Sequence, residues 1–288
     1  MKIKLSLALL LLSFHALIAD VRIEVSSVGF ETPESVEYYS KEDLYLVTNI
    51  HGNPLEKDGN GFVSKVKPDG TILNLKWIDG AIEGVDLDAP KGAEIVGNYL
   101  YITDLQNIRI FELPSGKPHK TIHIKDSTFL NGITKADEDS VYVTDSGLKE
   151  GFAPSGTDTV YQIDRNGNVK SILKDPEMGR PNGIIHSNNE LYIVTFGSGE
   201  LFKIDEQHIK QPMPKPSKAG LDGFVQLEDG TFLISSWGES AIYSYHKNKY
   251  EVLFKDLDAP ADMGIDTKRN RLLIPLFKEN KLVILSLN

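Results

Sequence analysis

One short motif that carries an oxygen-bearing side chain recurs along the chain, and it is the part of the sequence best suited to chemistry. Asn131, Asn182 and Asp222 each stand directly before a glycine, and Glu34 occupies the corresponding place nearer the start of the chain. Two carboxylates and two carboxamides offer only oxygen ligands, which Ca²⁺ accepts with loose geometry and which Mn²⁺ or Mg²⁺ also accept. A fold that brings the four motifs together would create a divalent-metal site, with Asp222 able to take a proton from an attacking water.

The two remaining copies of the motif carry other residues. Lys91 stands before one glycine, and Met263 stands before another, with Asp262 beside it. The Lys91 ammonium has three interpretations: it replaces the metal by pairing with the two acids, it binds an anionic substrate or a developing oxyanion, or it is a solvated side chain on the rim. The motif itself has an ordinary alternative, because Asn-Gly and Asp-Gly are common turn dipeptides.

Two long insertions interrupt the recurring pattern, and they cover residues 51–62 and 147–158. Because strand direction alternates, both loops should emerge on the face that carries the motif, and long loops on one face usually carry function. We therefore expect Phe62 and Phe152 to line a pocket and His51 to act as a proton carrier, with an exposed loop histidine as the alternative. Together with Asp262 these are the predicted substrate-binding residues.

The elements that would position these residues are short strands. A segment rich in β-branched and aromatic residues follows each motif, and such segments bounded by turn residues predict buried strands. The six copies are DLYLVTN (43–49), NYLYITD (98–104), SVYVTDS (140–146), ELYIVTF (190–196), TFLISSW (231–237) and RLLIPLF (271–277). They recur about every 40 to 55 residues, and further alternating segments follow each one, which predicts an all-β, six-bladed propeller with four antiparallel strands per blade.

The chain ends support the blade count. The last copy stops after its third strand, and residues 21–26 (VRIEVS) form an otherwise unassigned strand. Pairing this segment with the C-terminal strand would close the ring and remove two exposed sheet edges. In a propeller the start of each innermost strand faces the central channel, so the motif residues should converge there.

Four stretches resemble the family of senescence marker protein, gluconolactonase and luciferin-regenerating enzyme, which is related to paraoxonases and diisopropylfluorophosphatase. The stretches are TPESV (32–36), FLNG (129–132), RPNGI (180–184) and LDG (221–223). The resemblance implies a six-bladed propeller in which Glu34, Asn131, Asn182 and Asp222 hold a catalytic divalent cation. The chain departs from the sugar-lactone members at Phe129 and Gly132, where those members carry Arg and Asp, so we do not expect gluconolactonase activity itself.

The start of the chain has a different composition. Lys2 and Lys4 precede an aliphatic run over residues 5–12, and Ala19 offers a small residue before Asp20. This layout predicts a secretory signal peptide over residues 1–19, a mature domain over residues 20–288, and a periplasmic or secreted protein, with a retained membrane anchor as the alternative. Once the signal is removed, no association with the membrane is expected.

The bulk composition narrows the possible partners. The net charge of −10 argues against a nucleic-acid partner, which needs clustered basic residues. There is no cysteine, which excludes disulfides and cysteine-based redox chemistry. We expect a monomer that acts on a small molecule.

Two functions fit this pattern. The first is a metal-dependent hydrolase of a lactone, ester or similar small electrophile, with Asp222 and Lys91 as catalytic residues and Ca²⁺ as the expected metal. The second is a non-catalytic propeller that binds a peptide, sugar or protein on its loop face. A hydrolase predicts a closed pocket, whereas a binding module predicts a flat face or a Lys91 ion pair that fills the centre.

Overall fold

Short strands build the molecule throughout. The structure is a computed structural model that describes residues 22–287, in which 24 of the 26 strands form six four-stranded antiparallel sheets, called blades 1 to 6 below. From the innermost strand outward, blades 1 to 3 are β2 (Pro33–Tyr39), β3 (Leu44–Asn49), β4 (Phe62–Val66) and β5 (Ile72–Asp79); β6 (Pro90–Val96), β7 (Tyr99–Asp104), β8 (Asn107–Glu112) and β9 (Pro118–His123); β10 (Leu130–Lys135), β11 (Ser140–Asp145), β14 (Thr159–Asp164) and β15 (Val169–Lys174). Blades 4 to 6 are β16 (Pro181–Ser187), β17 (Glu190–Thr195), β18 (Leu201–Ile204) and β19 (Lys210–Pro212); β20 (Leu221–Gln226), β21 (Phe232–Ser236), β22 (Ala241–His246) and β23 (Lys249–Phe254); β24 (Gly264–Asp266), β25 (Arg271–Leu276), β26 (Lys281–Ser286) and β1 (Arg22–Val25). The predicted six-bladed propeller is confirmed.

The ring closes through the two ends of the described chain. Strand β1 pairs antiparallel with β26, with Arg22 opposite Leu285 and Val25 opposite Leu282. This pairing supplies the outer strand of blade 6 and leaves β26 without a free edge, as the sequence predicted. Neighbouring innermost strands contact one another around the ring, from β2 through β6, β10, β16 and β20 to β24 and back to β2.

Apolar side chains hold the blades to each other. One core cluster joins Tyr101 and Ile108 of blade 2 to Val141 and Val143 of blade 3. Similar clusters fill the other spaces between blades, so each sheet is buried on both faces. Burial of each such side chain stabilises the fold by roughly 1.5 to 3 kcal/mol.

The insertion in blade 3 has structure of its own. It forms a two-stranded ribbon of β12 (Leu148–Lys149) and β13 (Ala153–Pro154), joined by a 3₁₀ turn at Glu150–Phe152. Residues 1–19, the predicted signal peptide, lie outside the described residues, so the signal and the domain boundary at residue 20 stay predictions. Among residues 22–287 no helix is long and apolar enough to span a membrane.

Candidate functional site

A β-bulge occurs at the recurring motif in five of the innermost strands. The pairing with the next strand shifts between Pro33 and Val36, Pro90 and Ala93, Leu130 and Ile133, Pro181 and Ile184, and Leu221 and Phe224. A bulge inserts an extra residue and re-aims its side chain. The second residue of each motif thereby reaches one pocket at the end of the channel: Glu34, Lys91, Asn131, Asn182 and Asp222.

The glycines of the motif lie in strands, where neighbouring blades approach closely, and the turn interpretation is therefore wrong. A Cβ on Gly132 would lie 2.3 Å from the carbonyl oxygen of Asn182, and one on Gly92 would lie 2.6 Å from that of Asn131. Only glycine allows the backbones to come this close. The dipeptides therefore reflect the packing of the inner ring.

Blade 6 departs from this pattern. Strand β24 begins only at Gly264, and Asp262 forms an isolated parallel bridge with Ser35 of blade 1. Met263, the predicted sixth member of the ring, packs instead in the core of blades 5 and 6. The motif residues that reach the pocket thus come from five blades.

Hydroxyl groups of the second strands bind the bulges of adjacent blades together, which sequence reasoning did not find. Thr144 accepts a hydrogen bond from the Gly132 amide (2.9 Å) and donates one to the carbonyl of Asn182 in the next blade (2.6 Å). Thr48 and Thr103 donate in the same way to the carbonyls of Lys91 (2.9 Å) and Asn131 (2.5 Å). The sequence did contain a signal for these bridges, because a Thr or Ser recurs at the corresponding position in four of the six aligned strand copies.

Two acids at the floor of the pocket each have an oxygen that finds no partner within the described residues. Glu34 is 5% exposed and Asp222 is 4% exposed. Glu34 Oε2 and Asp222 Oδ1 are buried and have no hydrogen-bond partner among residues 22–287. Burial, followed by repulsion from Asp222 and Asp262, raises the pKa of Glu34 well above its usual value, and burial followed by repulsion from Asp262 does the same to the pKa of Asp222. Unpartnered buried carboxylate oxygens are costly unless a ligand satisfies them.

Two amides complete the set of oxygen atoms. The Asn131 amide nitrogen donates to Ser146 Oγ (3.2 Å), which leaves its carbonyl oxygen available to the centre. The Asn182 side chain lines the same pocket. Within the described part of the chain no three Asp, Glu or His side chains converge as a metal site, so the two amides are needed for a shell of four protein ligands. This donor set fits a hard divalent cation.

Lys91 lines the same pocket as Glu34 and Asp222, but its ammonium does not lie between the two carboxylates. Its side chain is 1% exposed, Nζ donates to the carbonyl of Ala89 (3.0 Å), and Nζ stands 4.3 Å from the centre of the Phe129 ring. No ion pair joins it to Glu34 or Asp222 among the described residues. Burial lowers the pKa of Lys91 to about 8, although nearby acids, Asp104 first, oppose the change. The solvated-rim interpretation is therefore wrong.

The pocket walls are almost entirely apolar. The cavity has a volume of 310 Å³, and five aromatic side chains line it: Phe129, Phe152, Phe196, Trp237 and Phe277. Ile50, Pro54 and Leu148 complete the apolar surface. Trp237 contacts Phe196 and Phe277, with ring centres 5.3 and 5.0 Å apart.

Half of the apolar wall residues come from one repeat position that sequence reasoning overlooked. The residue directly after the second strand is Ile50 in blade 1, Ser146 in blade 3, Phe196 in blade 4, Trp237 in blade 5 and Phe277 in blade 6. All five line the pocket. The signal was present in the aligned copies, since three of them end in an aromatic residue, but a strand end looks like the start of a surface turn.

The predicted substrate-binding residues divide into two groups. Phe152 lines the pocket at its mouth and is 48% exposed. The wall defined by residues 22–287 does not include the other three predicted residues. Phe62 is 0% exposed because it begins β4 and points into the blade, with its ring 6.0 Å from that of His51.

His51 and Asp262 have other partners. Nδ1 of His51 lies 3.1 Å from the carbonyl of Asn60, within its own loop. Asp262 accepts a hydrogen bond from Ser35 Oγ (3.1 Å), and burial raises its pKa to about 7. Asp262 thus acts on the two floor acids through its charge and does not reach the pocket.

Comparison with known proteins supports the architecture. No protein-family model matches the chain, and no curated protein matches it in sequence. Among solved structures, a gluconolactonase from Xanthomonas campestris is similar over 93% of this chain and 89% of its own, with a TM-score of 0.72 and 15% identity. A luciferin-regenerating enzyme matches over 93% and 95% (TM-score 0.66, 13% identity), and virginiamycin B lyase from Staphylococcus aureus over 93% and 100% (TM-score 0.65, 15% identity).

These neighbours include the group that the sequence motifs resemble. At 13 to 15% identity the likeness shows the fold, and the neighbours' names cover both a lactonase and a lyase. A shared propeller therefore does not select a reaction, which must be argued from the site. The chain has the fold of the gluconolactonases and the luciferin-regenerating enzyme.

Proposed function

We propose that this chain is an exported, divalent-metal-dependent hydrolase of a lactone, ester or similar small electrophile. The observation that carries the proposal is a pair of buried oxygens at the floor of a pocket, Glu34 Oε2 and Asp222 Oδ1, which have no hydrogen-bond partner in the described part of the chain. Two acids that repel each other in a buried site are stabilised by a cation between them. Export rests on the predicted signal peptide over residues 1–19.

Four residues would hold the cation: Glu34, Asn131, Asn182 and Asp222. Ca²⁺ suits this set best, and when bound it would supply a Lewis acid that polarises the carbonyl of the substrate. The Asp222 carboxylate takes a proton from the attacking water as the water oxygen bonds to the carbonyl carbon. The ester C–O bond then breaks, and the leaving oxygen receives the proton.

In this proposal Lys91 stabilises the negative charge that develops on the substrate oxygen. Its Nζ is anchored by one hydrogen bond to Ala89 and by the face of Phe129, which leaves N–H groups for the substrate oxygen. A fixed donor in a site that excludes water stabilises an oxyanion more than a donor in solution does. A concave, apolar pocket of 310 Å³ also favours a small-molecule substrate over a macromolecule bound on a flat face.

The test combines metal binding with activity. Chelator-treated protein should bind Ca²⁺ in calorimetry and should recover hydrolysis of lactones or aryl esters when the metal is restored. Asp222→Asn should lower kcat by about 10² to 10⁴-fold because the proton acceptor is lost, and it should weaken cation binding. Asn182→Ala should weaken binding less, since only a neutral oxygen is removed.

Asp139→Asn provides the control, because Asp139 is an exposed acid away from the pocket. It should match the wild type in both measurements. A wild-type protein that binds no cation at millimolar Ca²⁺ and hydrolyses nothing in the panel would refute the proposal. The non-catalytic binding propeller would then take its place.

A further inference from the structure

The apolar wall restricts what the pocket can bind. Five aromatic rings and three aliphatic side chains surround the space above the floor. Hydroxyl groups of a sugar would lose water there without gaining partners, which costs free energy. An apolar and preferably aromatic ligand body matches this surface.

One charged side chain interrupts the wall. Arg180 lines the pocket and is half-buried, and its guanidinium has no hydrogen-bond or ion-pair partner among residues 22–287. Arginine in an apolar wall usually pairs with an anion, because its planar donors match carboxylate oxygens in a bidentate way. A guanidinium left unpaired here is available to a ligand.

The position of Arg180 is fixed by its surroundings. Its amide donates to Asp158 Oδ2 (2.7 Å), and its carbonyl accepts from the Phe196 amide (2.9 Å). The backbone adopts a left-handed φ of 62°, which a bulky residue adopts only when its surroundings hold it there. Its stem packs over Gly197, where an added Cβ would lie 3.0 Å from Arg180 Cδ.

The charges of the pocket residues also favour an anionic ligand. Lys91 and Arg180 together offset Glu34 and Asp222 when all four are charged. A divalent cation at the floor would leave the pocket with a positive excess, which an anionic ligand neutralises. This step rests on the proposed function. Lys91 already lies against Phe129, so Arg180 is the cation left for a group remote from the floor.

We propose that the substrate is an apolar, preferably aromatic ester or lactone that carries a carboxylate remote from its reacting carbonyl, and that Arg180 binds this carboxylate. The reacting carbonyl lies at the floor beside Lys91 and Asp222, and the aromatic wall holds the body. Arg180 is a specificity-determining residue and takes no part in bond breaking.

A matched pair of esters tests the assignment. The probes are 3-(4-acetoxyphenyl)propionate and its neutral amide, 3-(4-acetoxyphenyl)propanamide, in which the spacer separates the tested group from the ester. We expect kcat/KM for the carboxylate to exceed that for the amide by about 10- to 100-fold, mainly through KM, as for a charged hydrogen bond. Arg180→Gln should remove the preference by lowering kcat/KM for the carboxylate towards that for the amide, and Arg180→Lys should keep part of it. Arg165→Gln, which removes an exposed arginine outside the pocket, should retain the full preference.

A binding measurement separates this inference from the proposed hydrolysis. Thermal shift and calorimetry with 3-phenylpropionate and 3-phenylpropanamide should show tighter binding of the carboxylate to the wild type and equal binding to Arg180→Gln. If the protein discriminates between the two ligands but hydrolyses neither ester, the proposed hydrolysis is wrong and the proposed class of ligand is supported. If both esters are hydrolysed equally and both ligands bind equally, the assignment of Arg180 is overturned while the hydrolase remains. Failure to bind either ligand also overturns the assignment.

Discussion

Trp237 combines an apolar face with a polar edge at the floor of the pocket. Its ring packs against Phe196 and Phe277, while Nε1 is buried without a hydrogen-bond partner among the described residues. The indole N–H lies near Asp222 and lowers the pKa of that acid, against the larger effect of burial. This N–H therefore favours the charged form of Asp222, which is the form a cation needs.

We expect Trp237→Phe to lower cation affinity by about tenfold, because a phenyl ring keeps the wall aromatic while the N–H donor beside Asp222 is lost. Calorimetric titration with Ca²⁺ measures this effect. The only other tryptophan is Trp77, which lies in the outer strand of blade 1 under Lys65. Trp77→Phe should leave the affinity unchanged, and equal losses in both variants would contradict the role given to Trp237.

At the scale of the elements, the β-bulge at the start of five innermost strands positions the residues of the site. A regular strand would turn alternate residues towards the neighbouring blades, whereas the bulge aims the second motif residue into the pocket. The hydroxyls of Thr48, Thr103 and Thr144 then connect the bulges of blades 1, 2 and 3 to the bulge of the following blade. The spacing of the motif residues that line the pocket depends on these connections between blades.

Thr144→Val tests this connection. The valine keeps the shape but leaves the Gly132 amide and the Asn182 carbonyl without this partner, so the free energy of unfolding should fall by about 1 to 3 kcal/mol. Cation affinity should also fall, since Asn182 is no longer held. Thr134→Val in the same blade is the control, because no hydrogen bond of its hydroxyl occurs among residues 22–287. Chemical denaturation and calorimetry would measure both effects, and equal stability of the two variants would rule out the proposed bridge.

At the scale of the whole molecule, the ring brings acids from distant parts of the chain into the channel behind the site. Glu37 of blade 1, Glu94 of blade 2 and Asp262 lie close enough to affect one another. Burial, opposed by amide donors from Lys135 and Ile95 and strengthened slightly by Asp262, raises the pKa of Glu94 to about 7. No single blade would produce this cluster.

A pH dependence of stability follows for Glu94. Its pKa is about 7 in the folded protein and near 4.5 when unfolded, so its ionisation costs stability as pH rises from about 4.5 to 7. Glu94→Gln loses an acceptor at every pH but stays neutral. Between pH 5 and pH 8 the free energy of unfolding of the variant should therefore rise by roughly 1 to 2 kcal/mol relative to that of the wild type. This range allows for the part of the side chain that is exposed. Urea unfolding at both pH values measures this, with the exposed Glu251→Gln as control; a constant difference would contradict it.

The sequence alone determined the repeat, the six blades, the closing strand and the register of Glu34, Lys91, Asn131, Asn182 and Asp222. These features are local, because strand periodicity and turn residues depend on neighbours along the chain, and the same pattern is repeated six times. A copy that broke the pattern was harder to place. Met263 satisfied the motif by its position before a glycine, yet blade 6 starts later and buries it in the core.

Only the tertiary structure decided what surrounds those residues. Within residues 22–287, the oxygens of Glu34 and Asp222 without partners, the contact of Lys91 with Phe129 and the guanidinium of Arg180 without a partner depend on which atoms of different blades meet. Sequence reasoning placed Phe62 in the pocket because it ends a long loop, but as the first residue of β4 it turns into the blade. Conversely, Phe196, Trp237 and Phe277 look like ordinary strand ends and become the wall once the ring closes. Partners across blades lie far apart in sequence, so no local pattern records them.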